Sequence, residues 1–167
     1  MLMLCAAAPF LRAEEPANAP VAVFAVDRAR YDGAIVALRG KVVLVDFWAT
    51  WCLPCMEQLP HTVELERRFR NRGLAVVTVN MDDAENLEQV RAVLAAKGAG
   101  PLKNLMASTG GSPQSMEAFE IGGGALPHYK LYGKSGALRQ EFGLDPMAEK
   151  QFTPADIEAA VTKLLDE

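Results

Sequence analysis

The sequence predicts an α/β fold, one mixed central sheet with helices on both faces. Three observations carry this expectation. Residues 42–47 and 74–79 are almost continuously apolar, the pattern of strands covered on both sides. Segments of helical spacing follow each of these runs. Near the C-terminus, Gly133-Lys134-Ser135-Gly136 joins two further strand-like runs, which reads as a hairpin. Buried parallel strands therefore come first and an antiparallel pair last.

Element by element, residues 21–26 form a short apolar run expected to be an edge strand. Asp32-Gly33 is a turn signal, and residues 34–38 are expected to return as a second short strand. Gly40 punctuates before the run at 42–47. A helix is expected over 54–71, closed by Gly73, and a second buried strand over 74–79. Leu87, Val90, Val93 and Leu94 repeat at helical spacing until Gly98 and Pro101. Residues 108–113 read as loop, and 115–119 as a short helix ending before Gly122-Gly123-Gly124. Strands are expected at 129–132 and 137–142. The last helix opens with Thr153 as N-cap, Pro154 at the first position and Asp156 in the first turn. Ile157, Ala160, Val161, Leu164 and Leu165 give it one apolar face. The predicted order is β-β-α-β-α-α-β-β-α.

A chain of 167 residues, 50% hydrophobic and 23% charged, has the size and composition of one globular domain. Its net charge of −4 argues against a nucleic-acid partner, which calls for a basic surplus. The dense run Arg67-Arg68-Phe69-Arg70-Asn71-Arg72 is interleaved with Glu64 and Glu66 and reads as a solvated helix face. The first eleven residues are apolar but too few to span a membrane. They match the hydrophobic part of a secretory signal, with Ala13 as a cleavage position and a polar stretch after it. Residues 1–20 are thus expected to be a signal-like segment and linker, 21–167 the domain, and the location extracytoplasmic (periplasmic), with no membrane span of its own.

If Cys5 leaves with the leader, two cysteines remain, Cys52 and Cys55. A pair at i and i+3 closes too short a loop to be a useful staple. A zinc site lacks its second cysteine pair, and Met56 stands where c-type haem attachment needs histidine, so no metal and no cofactor are expected. The pair lies where the apolar run ends and a helix opens, in Val45-Asp46-Phe47-Trp48-Ala49-Thr50-Trp51-Cys52-Leu53-Pro54-Cys55. Cys52 at a helix N-terminus meets unpaired N–H groups and the positive end of the dipole. Such placement lowers a thiol pKa from about 8.5 to roughly 3.5–7.5. An exposed Cys52 thiolate can attack a disulfide, and a shielded Cys55 can resolve the mixed disulfide. Asp46 is a carboxyl inside an apolar strand, costly unless used or satisfied. It is expected beneath the dithiol, with a raised pKa, taking the proton of Cys55; the other reading is a hydrogen-bonded structural Asp.

This segment resembles the active site of thioredoxin-fold proteins, and the chain resembles the TlpA/ResA-like branch of exported thiol-disulfide oxidoreductases. The resemblance rests on Leu38-Arg39-Gly40-Lys41 running into the segment above, on Pro60, on residues 76–79 with Asp82, and on Ala125-Leu126-Pro127. It implies a thioredoxin-like fold, a cis Pro127 facing the dithiol, and a Leu126 backbone that pairs with substrate. Read from the residues alone, Pro127 is equally an edge-strand starter. Trp51 and Pro127 then frame a groove for protein thiols and disulfides, with electrons from a membrane-bound dithiol donor. The chain departs from the branch at Asp46, often Asn there, at Gln58, where cytochrome-maturation members often have Glu, and at His128, often Thr. His128 and His61 are read as surface residues and the glycine run as a mobile approach to the site. The function expected is thiol-disulfide exchange through Cys52 and Cys55. The alternatives are reduction of apocytochrome thiols for haem attachment, or a redox-inert binding domain.

Overall fold

The computed structural model describes residues 20–167; the expected leader, with Cys5 and Ala13, lies outside them. The elements run β1 (Phe24–Val26), α1 (Arg28–Val36), β2 (Val42–Trp48), α2 (Leu53–Phe69), β3 (Leu74–Asn80), α3 (Leu87–Ala96), β4 (Lys103–Ala107), α4 (Pro113–Ala118), β5 (His128–Tyr132), β6 (Leu138–Gly143) and α5 (Pro154–Asp166). The six strands form one sheet in the order β1-β4-β3-β2-β5-β6. The first four positions pair in parallel, and β5 and β6 are antiparallel. This is the mixed α/β architecture expected, with the hairpin at one edge and β1 at the other.

Two elements differ from expectation. Residues 34–38 do not return as a strand; they belong to α1 and its exit. Asp27 caps that helix by accepting from Arg30 N, and Arg28 pairs with Asp32 one turn on. Tyr31 and Ile35, four apart, are buried on one face. Gly33 sits in the exposed helix interior, where its turn signal is overridden. Strand β4 was not foreseen. Only five residues long and opened by polar Lys103-Asn104, it has an apolar run of just Leu105-Met106-Ala107, yet it pairs with both β1 and β3. Its Asn104 is buried and satisfied by Thr78 and by three backbone carbonyls.

Strand β2 is central, and none of its residues is more than 1% exposed. Alternation sends Val43, Val45 and Phe47 to the face covered by α1, and Val42 and Leu44 into a second core with α5. Helix α2 contributes to both, Cys55 and Leu59 to the first and Leu65 and Phe69 to the second, with Pro60 between the halves. Gly73, at φ 97°, reverses the chain after a short turn at Arg70–Arg72 and delivers it into β3. The arginines expected on a solvated face pair with carboxylates: Arg67 with Glu64, Arg68 with Glu158 and Arg72 with Asp166. Helix α5 starts with the expected Thr153 cap, closed by Asp156 as a capping box. No helix among the described residues is long and apolar enough to cross a membrane.

Gly33→Ala tests the revised element. A Cβ there meets nothing within 4 Å, and Ala is the better helix former by roughly 0.5–1 kcal/mol. Urea denaturation is expected to show a gain of about that size. A loss would restore the tight Asp32-Gly33 turn.

Candidate active site

Strand β2 ends at Trp48, four residues (Ala49 to Cys52) cross the end of the sheet, and α2 begins at Leu53. Cys52 is the N-cap of α2, and its Sγ accepts from the backbone N of Cys55 at 3.3 Å. The two cysteines are joined by a disulfide, with Cα atoms 5.3 Å apart. Pro54 lies in the first turn, where no N–H is needed, and that turn holds no acidic residue to oppose a thiolate. Cys52 is 5% exposed and Cys55 1%, so in the disulfide state the first cysteine is far less open than its position suggests. Its neighbours stand out instead: Trp51 is 62% and Leu53 69% exposed, an apolar rim around a buried bridge.

Asp46 shares the face of Val42 and Leu44 and lies under α2, 1% exposed. Its Oδ2 accepts from the Thr62 hydroxyl at 2.8 Å, and Oδ1 has no partner among the described residues. Thr62 is seven residues beyond Cys55, two turns along the same side of the helix. Burial raises the Asp46 pKa to about 7, and the Thr62 bond opposes that rise. The carboxyl thus lies beneath the dithiol helix, with burial favouring its protonated form.

Sequence reading did not find what holds the loop between β2 and α2. Asp82 follows β3 and is 1% exposed. Its carboxylate accepts from the Thr50 backbone N, the Thr50 hydroxyl and Asn80 Nδ2. Asn80 Oδ1 in turn accepts from Asp82 N, and Met81 N donates to Trp48 O. Thr50 is two residues before Cys52, so this latch fixes the approach to the dithiol. The available signal was two polar residues, Asn80 and Asp82, directly after a buried strand, at the carboxyl end of a parallel sheet where sites gather.

Leu126 and Pro127 are buried, their peptide bond is cis, and Leu126 shares a core with Cys52 and Cys55. His128 is not a surface residue. It is 3% exposed because β5 pairs on both sides, with Phe47 of β2 and Gly143 of β6 as its register partners. A side chain at 143 would come within 2.9 Å of Nδ1, so glycine makes room for the ring. Burial lowers the His128 pKa, and Glu141, 3.4 Å from Nε2, opposes that. The ring lies on the face of Phe47, opposite to Asp46. His61 is half-buried, and its Nε2 is 3.2 Å from the Pro154 carbonyl, tying α2 to the start of α5. Gln58 accepts from the Tyr129 hydroxyl at 3.2 Å. The glycine run makes a short turn, Gly122–Gly124, lining a cleft with Gly111, Met116 and Ile121. Gly111 also lines a second cleft with Trp51, Met81 and Asp83. Among the described residues no three His, Cys, Asp or Glu side chains group as metal ligands.

A family model described as Redoxin matches residues 17–160. The thioredoxin-like protein YneN of Bacillus subtilis is 49% identical over 55 residues, 32% of each chain. The thiol-disulfide oxidoreductase ResA of Oceanobacillus iheyensis is 40% identical over 48 residues, 29% of this chain and 25% of that protein. The chain thus matches no more than a third of the length of these relatives. A thiol:disulfide interchange protein of the thioredoxin family from Chlorobium tepidum aligns over 78% of this chain and 83% of its own, with 25% identity and a TM-score of 0.58. A secreted Mycobacterium tuberculosis disulfide oxidoreductase aligns over 77% of this chain and 86% of its own at 16% identity and TM-score 0.58, a likeness of fold alone. The resemblance read from the motif is thereby borne out.

Asp46→Asn has a defined signature. Its pKa moves from 3.8 to about 7 on folding, so between those values the folded state holds a proton that unfolding releases. Stability falls as pH rises through that window, by about 4 kcal/mol in full, and levels off above pH 7. The Asn variant lacks this component. Urea denaturation of the oxidised proteins is expected to show Asp46→Asn the more stable at pH 8, with the gap closing towards pH 4. A pH-independent gap would show that Asp46 is not desolvated.

Proposed function

The chain belongs to the Redoxin family, and on that premise we propose that it is a thiol-disulfide oxidoreductase acting on protein disulfides through Cys52 and Cys55. The observation that carries the reading is a cysteine pair able to form a disulfide at a helix N-terminus, with a buried carboxyl titrating near neutrality beneath that helix.

In the reduced protein, Cys52 Sγ is the thiolate, held by the Cys55 N–H and the helix dipole. It attacks one sulfur of a substrate disulfide; that S–S bond breaks and the other substrate sulfur leaves as thiolate. Cys55 then gives its proton to Asp46 and attacks Cys52 Sγ. The mixed disulfide breaks, the second substrate thiolate leaves, and Cys52–Cys55 is oxidised by two electrons. Trp51 and Leu53 supply the apolar rim on which a partner rests, and Leu126 and Pro127 bound the groove on the β5 side. Asp82 keeps Thr50, and so Cys52, in register.

We place this activity outside the cytoplasm, with residues 1–20 as leader and linker and a membrane-bound dithiol as electron donor. The apolar first eleven residues support that placement. Reduction of apocytochrome thiols is the weaker reading, since Gln58 is bonded to Tyr129 and carries no charge.

Insulin reduction with dithiothreitol tests the activity. Wild type is expected to speed precipitation and Cys52→Ser to abolish the effect. Full activity in Cys52→Ser would take the chemistry away from Cys52 and overturn the reading, and a wild type without effect on precipitation would leave a redox-inert binding domain. Cys55→Ser is expected to accumulate mixed disulfides with its partners. In the reduced protein, iodoacetamide is expected to modify Cys52 before Cys55 at neutral pH; the reverse order would exchange their roles.

A further inference from the structure

The two oxygens of Asp46 are not equivalent. Oδ2 is held by the Thr62 hydroxyl at 2.8 Å, while Oδ1 is buried without a hydrogen-bond partner among the described residues. Thr62 is itself 2% exposed, in the middle of α2. A threonine there commonly bonds back to its own helix; this one reaches across to the strand. The other groups facing Asp46 can be named. Helix α2 also carries Cys55, seven residues before Thr62 and on the same side of the helix. Strand β3 presents Thr78, whose hydroxyl donates to Asn104, and β5 presents Tyr129, whose hydroxyl donates to Gln58. Helix α5 adds apolar Ile157, Val161, Leu164 and Leu165 to this core. Lys130 is on the opposite face of β5, near Glu120 and Glu141. No cation faces the carboxyl from these elements, so the Thr62 hydrogen bond is what offsets its burial.

We propose that Thr62 is a positioning residue for proton transfer: its hydroxyl holds Oδ2, favours the ionised carboxylate, and leaves Oδ1 to take the proton of Cys55. The step balances as follows. The Cys55 S–H bond breaks, the proton goes to Oδ1, and the sulfur lone pair forms the bond to Cys52 Sγ as the substrate thiolate leaves. This inference rests on the reading of Asp46 as proton acceptor.

The test uses the full chain with ¹³C-labelled aspartate, the Asp46 carboxyl resonance being assigned by its loss in Asp46→Asn. Thr62→Val keeps the shape and removes the donor. Its Asp46 titration is expected to move up by about one to two pH units. The pH profile of mixed-disulfide resolution is expected to move with it. Thr62→Ser is expected to restore both to near wild type. Thr62→Ala removes the same hydroxyl with a smaller side chain and must shift in the same direction, which guards against misfolding of the valine variant. An unmoved titration overturns the inference. So does a downward shift, which would mean that a protonated Asp46 donates to Thr62. A moved titration with an unmoved resolution profile also overturns it. Resolution unchanged in Asp46→Asn at all pH values would instead overturn Asp46 as acceptor, so the two failures are distinguishable.

Discussion

Everything in this molecule is arranged around the complete burial of β2. Its seven residues are covered on both faces and hydrogen-bonded on both edges, by β3 in parallel and β5 in antiparallel register. A strand so enclosed has no tolerance for a charge that lacks a purpose. Its one ionisable residue, Asp46, therefore has a raised pKa as a direct consequence of position. The same enclosure makes the end of β2 a fixed point, and the chain leaves it to form the loop that carries Cys52.

That loop is held by polar contacts rather than by packing. Trp51 and Leu53 are exposed, so the apolar contribution to fixing Cys52 comes from below, through Cys55, Leu59 and Leu126. The lateral restraint is Asp82, a buried carboxylate satisfied by three donors, two of them from Thr50. A rigid base with an exposed apolar rim fits the proposed docking of a protein disulfide without rearrangement of the site.

The opposite side of the hairpin shows a different use of buried polarity. Lys130 is 1% exposed, with Glu141 at 3.3 Å and Glu120 at 3.4 Å. Glu120 also meets Arg28 of α1, and Glu141 meets His128. These contacts join α1, the turn after α4 and β6 across one face of β5, well away from Asp46. Removing one partner would leave a buried charge unmatched, the costly case for such groups. The two faces of β5 are thus chemically separate, apolar with hydroxyls towards α2 and charged towards α1.

The dithiol and its place at a strand-to-helix junction were legible in the sequence because both are local. The spacing of Cys52 and Cys55, the apolar run before them and the Thr153 cap depend on neighbours in the chain. Asp46 was legible too, since a carboxyl in an apolar run marks its own burial. What depended on partners distant in sequence was not legible. Strand β4 has only the three-residue apolar run Leu105-Met106-Ala107, too short to mark a strand by itself, and is fixed by its pairing with β1 and β3. The Asp32-Gly33 turn signal lost to a capped helix whose Tyr31 and Ile35 are buried against the sheet. His128 looked like a surface residue because only the closure of β6 over it, with glycine at 143, makes it buried. The holds of Asp82 on Thr50 and of Thr62 on Asp46 span 32 and 16 residues. Local chemistry thus determined where the reactive sulfurs and the buried carboxyl are. The tertiary fold alone decided which groups desolvate that carboxyl, which oxygen it leaves free and what holds the sulfurs still, because desolvation and hydrogen-bond partnership belong to the packed chain.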